Sequence, residues 1–228
     1  MTHAHAGAMN PPAEAAVGAG VYNEKLGMWV FLGSEIMFFT ALIGSYIILR
    51  FAHPGSWAQP GQVLNVPVTA INTFFLICSS VTMVKAFAAV QDGDQKGLRL
   101  WLLATVIIGA TFVAIQVFEY VSLVHEGFLP SGYVPGSELA EAAAKGVAWK
   151  GGPALPGSVG LYGSTFFTMT GFHGFHVTMG VLSMVYVTWR AFQGKYTPTD
   201  HRGVEVIGLY WHFVDLVWIV LFTIVYLI

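Results

Sequence analysis

Apolar residues gather in five long runs, at about 27–50, 67–90, 98–124, 159–191 and 204–228, and polar positions cluster between them. A helix needs about 20 mostly apolar residues to cross the hydrocarbon core of a bilayer. Inside lipid every backbone N–H and C=O must find its partner within the chain, and a helix provides that. The pattern therefore predicts an all-α membrane protein, a bundle of five transmembrane helices. The third and fourth runs exceed what a bilayer requires, and tilt or extension beyond the membrane absorbs the excess.

The segments between the runs differ in character. Residues 1–22 read as a mobile N-terminal tail and 23–228 as the transmembrane domain; the tail does not resemble a cleaved signal peptide, having no positive charge and no compact apolar core. Its two histidines, His3 and His5, are expected to be inert. HPGSWAQPGQVLNVP joins the first two runs with three prolines, and QDGDQKG is a short polar turn. Residues 125–158 are rich in Gly, Pro and Ala and contain SELAEAAAK, a candidate short surface helix. QGKYTPTDHRG joins the last two runs. No internal repeat is evident, which counts against a transporter built from duplicated halves.

Positive charge adds an orientation. Of ten Lys and Arg residues, Lys25, Lys85, Lys96, Arg99, Arg190, Lys195 and Arg202 fall on one side, and Arg50, Lys145 and Lys150 on the other. The excess predicts a cytoplasmic N-terminus, a periplasmic C-terminus and a periplasmic 125–158 loop. Trp29, Trp101 and Trp189 stand near helix ends, where interfacial aromatics belong. Composition agrees with lipid as the solvent: 10% of residues are charged, against about a quarter in a soluble domain. A net charge of -2 without a basic block gives nucleic acid no surface. The single cysteine, Cys78, excludes an intrachain disulfide, a Cys-rich zinc site and an iron–sulfur cluster.

The informative residues are the ionisable ones inside the runs. A carboxylate at the bilayer centre costs about 2.5–3.5 kcal/mol on insertion scales. Glu35, Glu119 and Asp215 occupy such positions, with His173, His176 and His212. They should face other helices, water or a partner subunit. Gln116, Glu119 and Tyr120 share a helix face, as do His173 with His176 and His212 with Asp215. His173 and Asp215 both lie about 18–20 Å along their helices, so they are expected to meet near mid-membrane. Gly163, Gly171, Gly174 and Gly180 would let the fourth helix approach its neighbours closely. The HGFH and HFVD pairs could ligate a metal, but no spaced third and fourth ligand accompanies them. Interhelical hydrogen bonding is the expected role of Glu119, His173, His176, His212 and Asp215, with no metal bound. Glu35 stands alone in its helix. It reads either as a carboxyl bonded to a neighbouring helix or as a proton-accessible group at a subunit boundary.

These residues sit in stretches that resemble cytochrome c oxidase subunit III of the haem–copper oxidases. The stretches are KLGMWVFLGSEIMFFTALIGSYIILR, LNVPVTAINTFFLICSS, AIQVFEYVSL, and the pair LYGSTFFTMTGFHGFHVTMG and LYWHFVDLVWIVLF. The resemblance spans all five runs and omits the tail and much of 125–158. It implies a subunit with no catalytic residues and no cofactor of its own, haem and copper being held by partner subunits I and II. It implies packing against subunit I, support of proton uptake, phospholipid binding, and residence in the bacterial inner membrane. Glu35 matches the family's buried glutamate toward subunit I; Glu119, His173, His176, His212 and Asp215 match its intrabundle polar positions. Seven-helix members carry two further N-terminal helices that wall a lipid cleft, so no lipid-contacting residues are assigned here. Five-helix forms also occur in quinol oxidases and in relatives linked to nitric oxide reductases, which leaves the electron donor of the complex, cytochrome c or quinol, open. Two readings outside the family are a free-standing transporter or proton channel using Glu35, Glu119 and Asp215, and a membrane metalloenzyme built on the histidine pairs.

Overall fold

The computed structural model describes residues 22–148 and 154–228, so the predicted tail lies outside the described residues except for Tyr22. The chain forms five long helices: α1 (Asn23–Ala52), α2 (Val66–Gln91), α3 (Gln95–His125), α5 (Gly160–Phe192) and α6 (Arg202–Phe222), with a short α4 (Glu138–Lys145) between α3 and α5. A five-residue π-helical stretch, Thr223–Leu227, continues α6. Four helices, α1, α2, α3 and the extended α6, are long and apolar enough to cross a membrane. The fifth, α5, is longer than any of them at 33 residues, about 50 Å at 1.5 Å per residue. Its five glycines, five threonines and two histidines dilute its hydropathy.

Local chemistry sets the helix boundaries. The Asn65 side chain accepts from the Val68 amide at the start of α2, where Pro67 fits the first turn. Gly93, at φ +78°, reverses the chain between α2 and α3, and Asp94 caps α3 through the amides of Lys96 and Gly97. The loop helix expected over SELAEAAAK is α4; Ser137 caps it, and it buries Leu139, Ala142 and Ala143. It follows a small hairpin that pairs Phe128–Leu129 with Gly132–Tyr133.

Helix α6 is the hub. Trp211 and Trp218, seven residues apart on one face, are both 1% exposed. Each indole donates across to α2, Trp211 Nε1 to Ser79 Oγ and Trp218 Nε1 to Thr73 Oγ1, both at 2.9 Å. The Trp211 ring lies between two glycines. A Cβ added to Gly109 on α3 would stand 2.7 Å from the ring, and one added to Gly180 on α5 would stand 3.1 Å away. Small residues here let three helices close on one large aromatic. By contrast α1 lies at the periphery and buries only Phe39 and Tyr46.

Seven positive residues share one end of the bundle, as contacts among the helix ends show. Lys25 meets Glu205 at 2.5 Å, Gln95 donates to the Tyr196 carbonyl, and Arg99 donates to the Ala191 carbonyl. Lys85 lies 4.4 Å from the Trp101 ring centroid and Lys25 5.6 Å from that of Trp29, cation–π contacts suited to a membrane interface.

Candidate functional site

Glu35 is not alone. Its Oε2 lies 3.0 Å from His176 Nε2, joining α1 to α5, and both side chains are largely buried. The other ring nitrogen of His176 lies 2.7 Å from the Phe172 carbonyl. A carbonyl only accepts, so Nδ1 carries a hydrogen. Nε2 and the carboxyl oxygen, both acceptors when unprotonated, then need one proton between them. The pair is a neutral acid with a neutral imidazole or a carboxylate with an imidazolium; either way it holds one proton and has no net charge. Phe39 packs its ring 5.3 Å from that of His176, and Phe38 lies 5.1 Å from Phe172, so apolar rings surround the pair.

The two histidines of HGFH serve different neighbours. His173 is fully buried and stacks on Trp218 at 4.7 Å. It donates through Nε2 to the Val214 carbonyl at 3.2 Å. The expected meeting of His173 and Asp215 therefore falls one residue short. Asp215 turns instead to α2, where the Ser80 hydroxyl donates to its Oδ2 at 2.5 Å. His212 Nδ1 lies 3.2 Å from the same hydroxyl, so His212 and Asp215 share a face, as their spacing predicts, and share one serine.

Glu119 stands apart from these, near the far end of α3. Thr69 donates to its Oε1 at 3.0 Å, and the carboxyl lines a cleft of about 340 Å³ with Gln62, Asn65, Ser122 and Glu126. One turn away, Gln116 donates to the Thr170 carbonyl, and the Tyr120 hydroxyl bonds that of Thr170. The six polar residues singled out from sequence thus fall in four places: Glu35 with His176, His173 on Trp218, His212 with Asp215, and Glu119. Their partners on α2 are uncharged: Thr69 for Glu119, and Ser80 for both Asp215 and His212. A stripe of Thr69, Asn72, Thr73 and Ser79 at helical spacing, all four buried, marks the polar face of α2; it identifies Thr69 but leaves out Ser80. Among the described residues no group of three or more His, Cys, Asp or Glu side chains stands close enough to hold a metal.

The family model for cytochrome c oxidase subunit III matches residues 7–136 and 154–228. The chain belongs to the cytochrome c oxidase subunit III family. Among its relatives, the probable cytochrome c oxidase subunit 3 of Nocardia farcinica is 36% identical over 208 residues, covering 90% of this chain and 87% of that one. The cytochrome c oxidase subunit 3 of Corynebacterium diphtheriae is 37% identical over 206 residues, with the same coverage. That of Thermostichus vulcanus is 35% identical over 204 residues, covering 89% of this chain and 86% of its own. The family match includes all five long helices, so these polar residues lie within a subunit III helical membrane bundle.

Proposed function

We propose that this chain is the non-catalytic subunit III of a proton-pumping terminal oxidase that reduces oxygen to water. In this reading it stabilises subunit I, supports proton uptake and binds phospholipid. Membership of the subunit III family carries the reading. The chain works beside subunits I and II, which hold the haem and copper, while it binds no metal itself. It lies in the bacterial inner membrane with α5 as the fifth span. The seven positive residues at one end of the bundle support a cytoplasmic N-terminus.

The Glu35–His176 contact carries the proton role. It holds one exchangeable proton inside the apolar zone and lies on the outer helix, α1, which exposes Ile36 (55%) and Met37 (74%) beside it. Those neighbours form a face for subunit I. Glu119, His173, His212 and Asp215 serve as ties between helices.

Lipid fits a groove of about 800 Å³ between the positive ends of α1, α5 and α6. Arg190, Lys195 and Arg202 stand at its rim, and Met28, Leu182 and Val206 line its apolar wall. Cations over an apolar channel suit a phospholipid phosphate with its acyl chains.

The identity test is co-purification with an optical spectrum. Haem-bearing partner chains are expected; a stable oligomer of this chain alone, without haem, would overturn the assignment. The proton role is tested with Glu35→Ala in the assembled complex. Haem content should stay intact while proton uptake falls or activity decays faster during turnover. A mutant complex matching wild type in both measurements removes the proton role.

A further inference from the structure

A groove of about 190 Å³ runs between α2 and α6, lined by Met83, Val84 and Phe87 on one side and Val204, Glu205, Gly208, Leu209 and His212 on the other. It begins beside Glu205 at the positive end of the bundle. There Glu205 is held by Lys25 at 2.5 Å and Tyr22 at 2.6 Å. It ends at His212, seven residues further along α6, about 10 Å by helical rise. Behind His212 stand Ser80 and Asp215.

We propose that this groove admits water to His212, and that His212, Ser80 and Asp215 form a relay through which the Asp215 carboxyl takes up and releases a proton. Asp215 is 6% exposed, and its Oδ1 is buried without a hydrogen-bond partner among the described residues. An ionised carboxylate served by one hydroxyl in an apolar interior is poorly compensated. The neutral acid therefore needs a route by which its proton arrives. His212 faces the groove, uses Nδ1 toward Ser80, and has no protein partner for Nε2 among the described residues.

The same heavy-atom positions accommodate both protonation states. In the first, His212 Nδ1–H donates to Ser80 Oγ, and the Ser80 hydroxyl donates to the Asp215 carboxylate. A proton from groove water then binds His212 Nε2. The Nδ1 proton passes to Ser80 Oγ as the original Ser80 proton passes to Asp215 Oδ2. In the second state Asp215 is a neutral acid donating to Ser80, Ser80 donates to His212 Nδ1, and His212 carries its hydrogen on Nε2. One proton has entered and no bond between heavy atoms has changed. Serine stands between histidine and aspartate here, so histidine does not act on it as a base toward a substrate, and the order is that of a relay.

Few other ionisable groups bear on the relay. From α1, Lys25 reaches the groove only through Glu205. From α5, His173 sits behind the Val214 carbonyl and is turned onto Trp218. On α2, Lys85 is turned onto Trp101 of α3. The relay is distinct from the Glu35–His176 pair and requires no turnover of the complex to be observed, so it can fail while the assignment above stands.

Infrared difference spectroscopy of the intact complex tests it. A carboxylic-acid band that appears as pH falls, shifts promptly in heavy water and is lost in Asp215→Asn is the expected result. Ser80→Ala should keep the band and slow its exchange many-fold. Val84→Trp should slow it as well, because Val84 lines the groove and is 54% exposed, leaving room for the larger ring. Absence of any band that Asp215→Asn removes overturns the proposal. So does prompt exchange that neither Ser80→Ala nor Val84→Trp slows.

Discussion

A single proton between Glu35 and His176 gives that contact two forms of equal net charge, which differ only in which partner holds the proton. Residue by residue, such satisfaction of polar groups decides what the interior tolerates. Trp218 shows the cost of removing one. Its indole satisfies Thr73 and its ring stacks on His173. Trp218→Phe keeps most of the apolar surface and deletes the donor, so a loss of about 1 kcal/mol is expected. Thermal unfolding of the detergent-solubilised complex reads this, and an unchanged midpoint would show that the bond contributes nothing. The sequence revealed which residues were out of place in lipid, but not whom they met. His173 and His176 are three apart, which turns the second about 60° from the first around the helix. That is near enough to suggest a shared face and far enough to send one to Trp218 and the other to Glu35. Apart from Glu35 and His176, which meet each other, the partners are serines, threonines and carbonyls, which carry no charge to advertise themselves.

Among the elements, apolar runs located all five long helices, and their ends differ from expectation by a few residues because the helices run on into polar flanking positions such as Asn23 and Gln95. The first run widened from 27–50 to Asn23–Ala52, and SELAEAAAK formed its helix behind the Ser137 cap. What apolar patterning could not rank was centrality, since the peripheral α1 and the hub α6 are equally apolar. The glycines were expected on α5 for close approach; the structure adds that Gly180 and, from α3, Gly109 enclose one tryptophan. Gly109→Ala should therefore force the rigid Trp211 ring to move, at about 1–3 kcal/mol. Pairing it with Trp211→Phe should recover part of that loss in a double-mutant cycle. Strict additivity of the two changes would mean that the glycine and the ring do not touch.

Across the whole molecule, the ties of α1 are polar and widely spaced. Among the described residues they are Lys25 to Glu205 and Glu24 to Arg202 at one end, Glu35 to His176 in the middle, and Arg50 to the Ile228 carbonyl at the other end. Lys25→Met removes the first. Both partners are partly exposed, 27% for Lys25 and 20% for Glu205, so the expected loss is at most about 1 kcal/mol. It should appear as faster amide exchange confined to the first turns of α1, and exchange that rises evenly over all five helices would contradict so local a role.

Those few ties have a consequence for assembly. A helix held by a few polar staples, with most of its apolar surface facing outward, contributes little free energy to the fold of its own chain. Whatever covers that outer face binds the docked helix and not the loosened one, and so stabilises docking by mass action. The integrity of α1 then reports on occupancy of its outer face: in the complete complex it should be as protected as the hub helix, and on dissociation it should be the first segment to open.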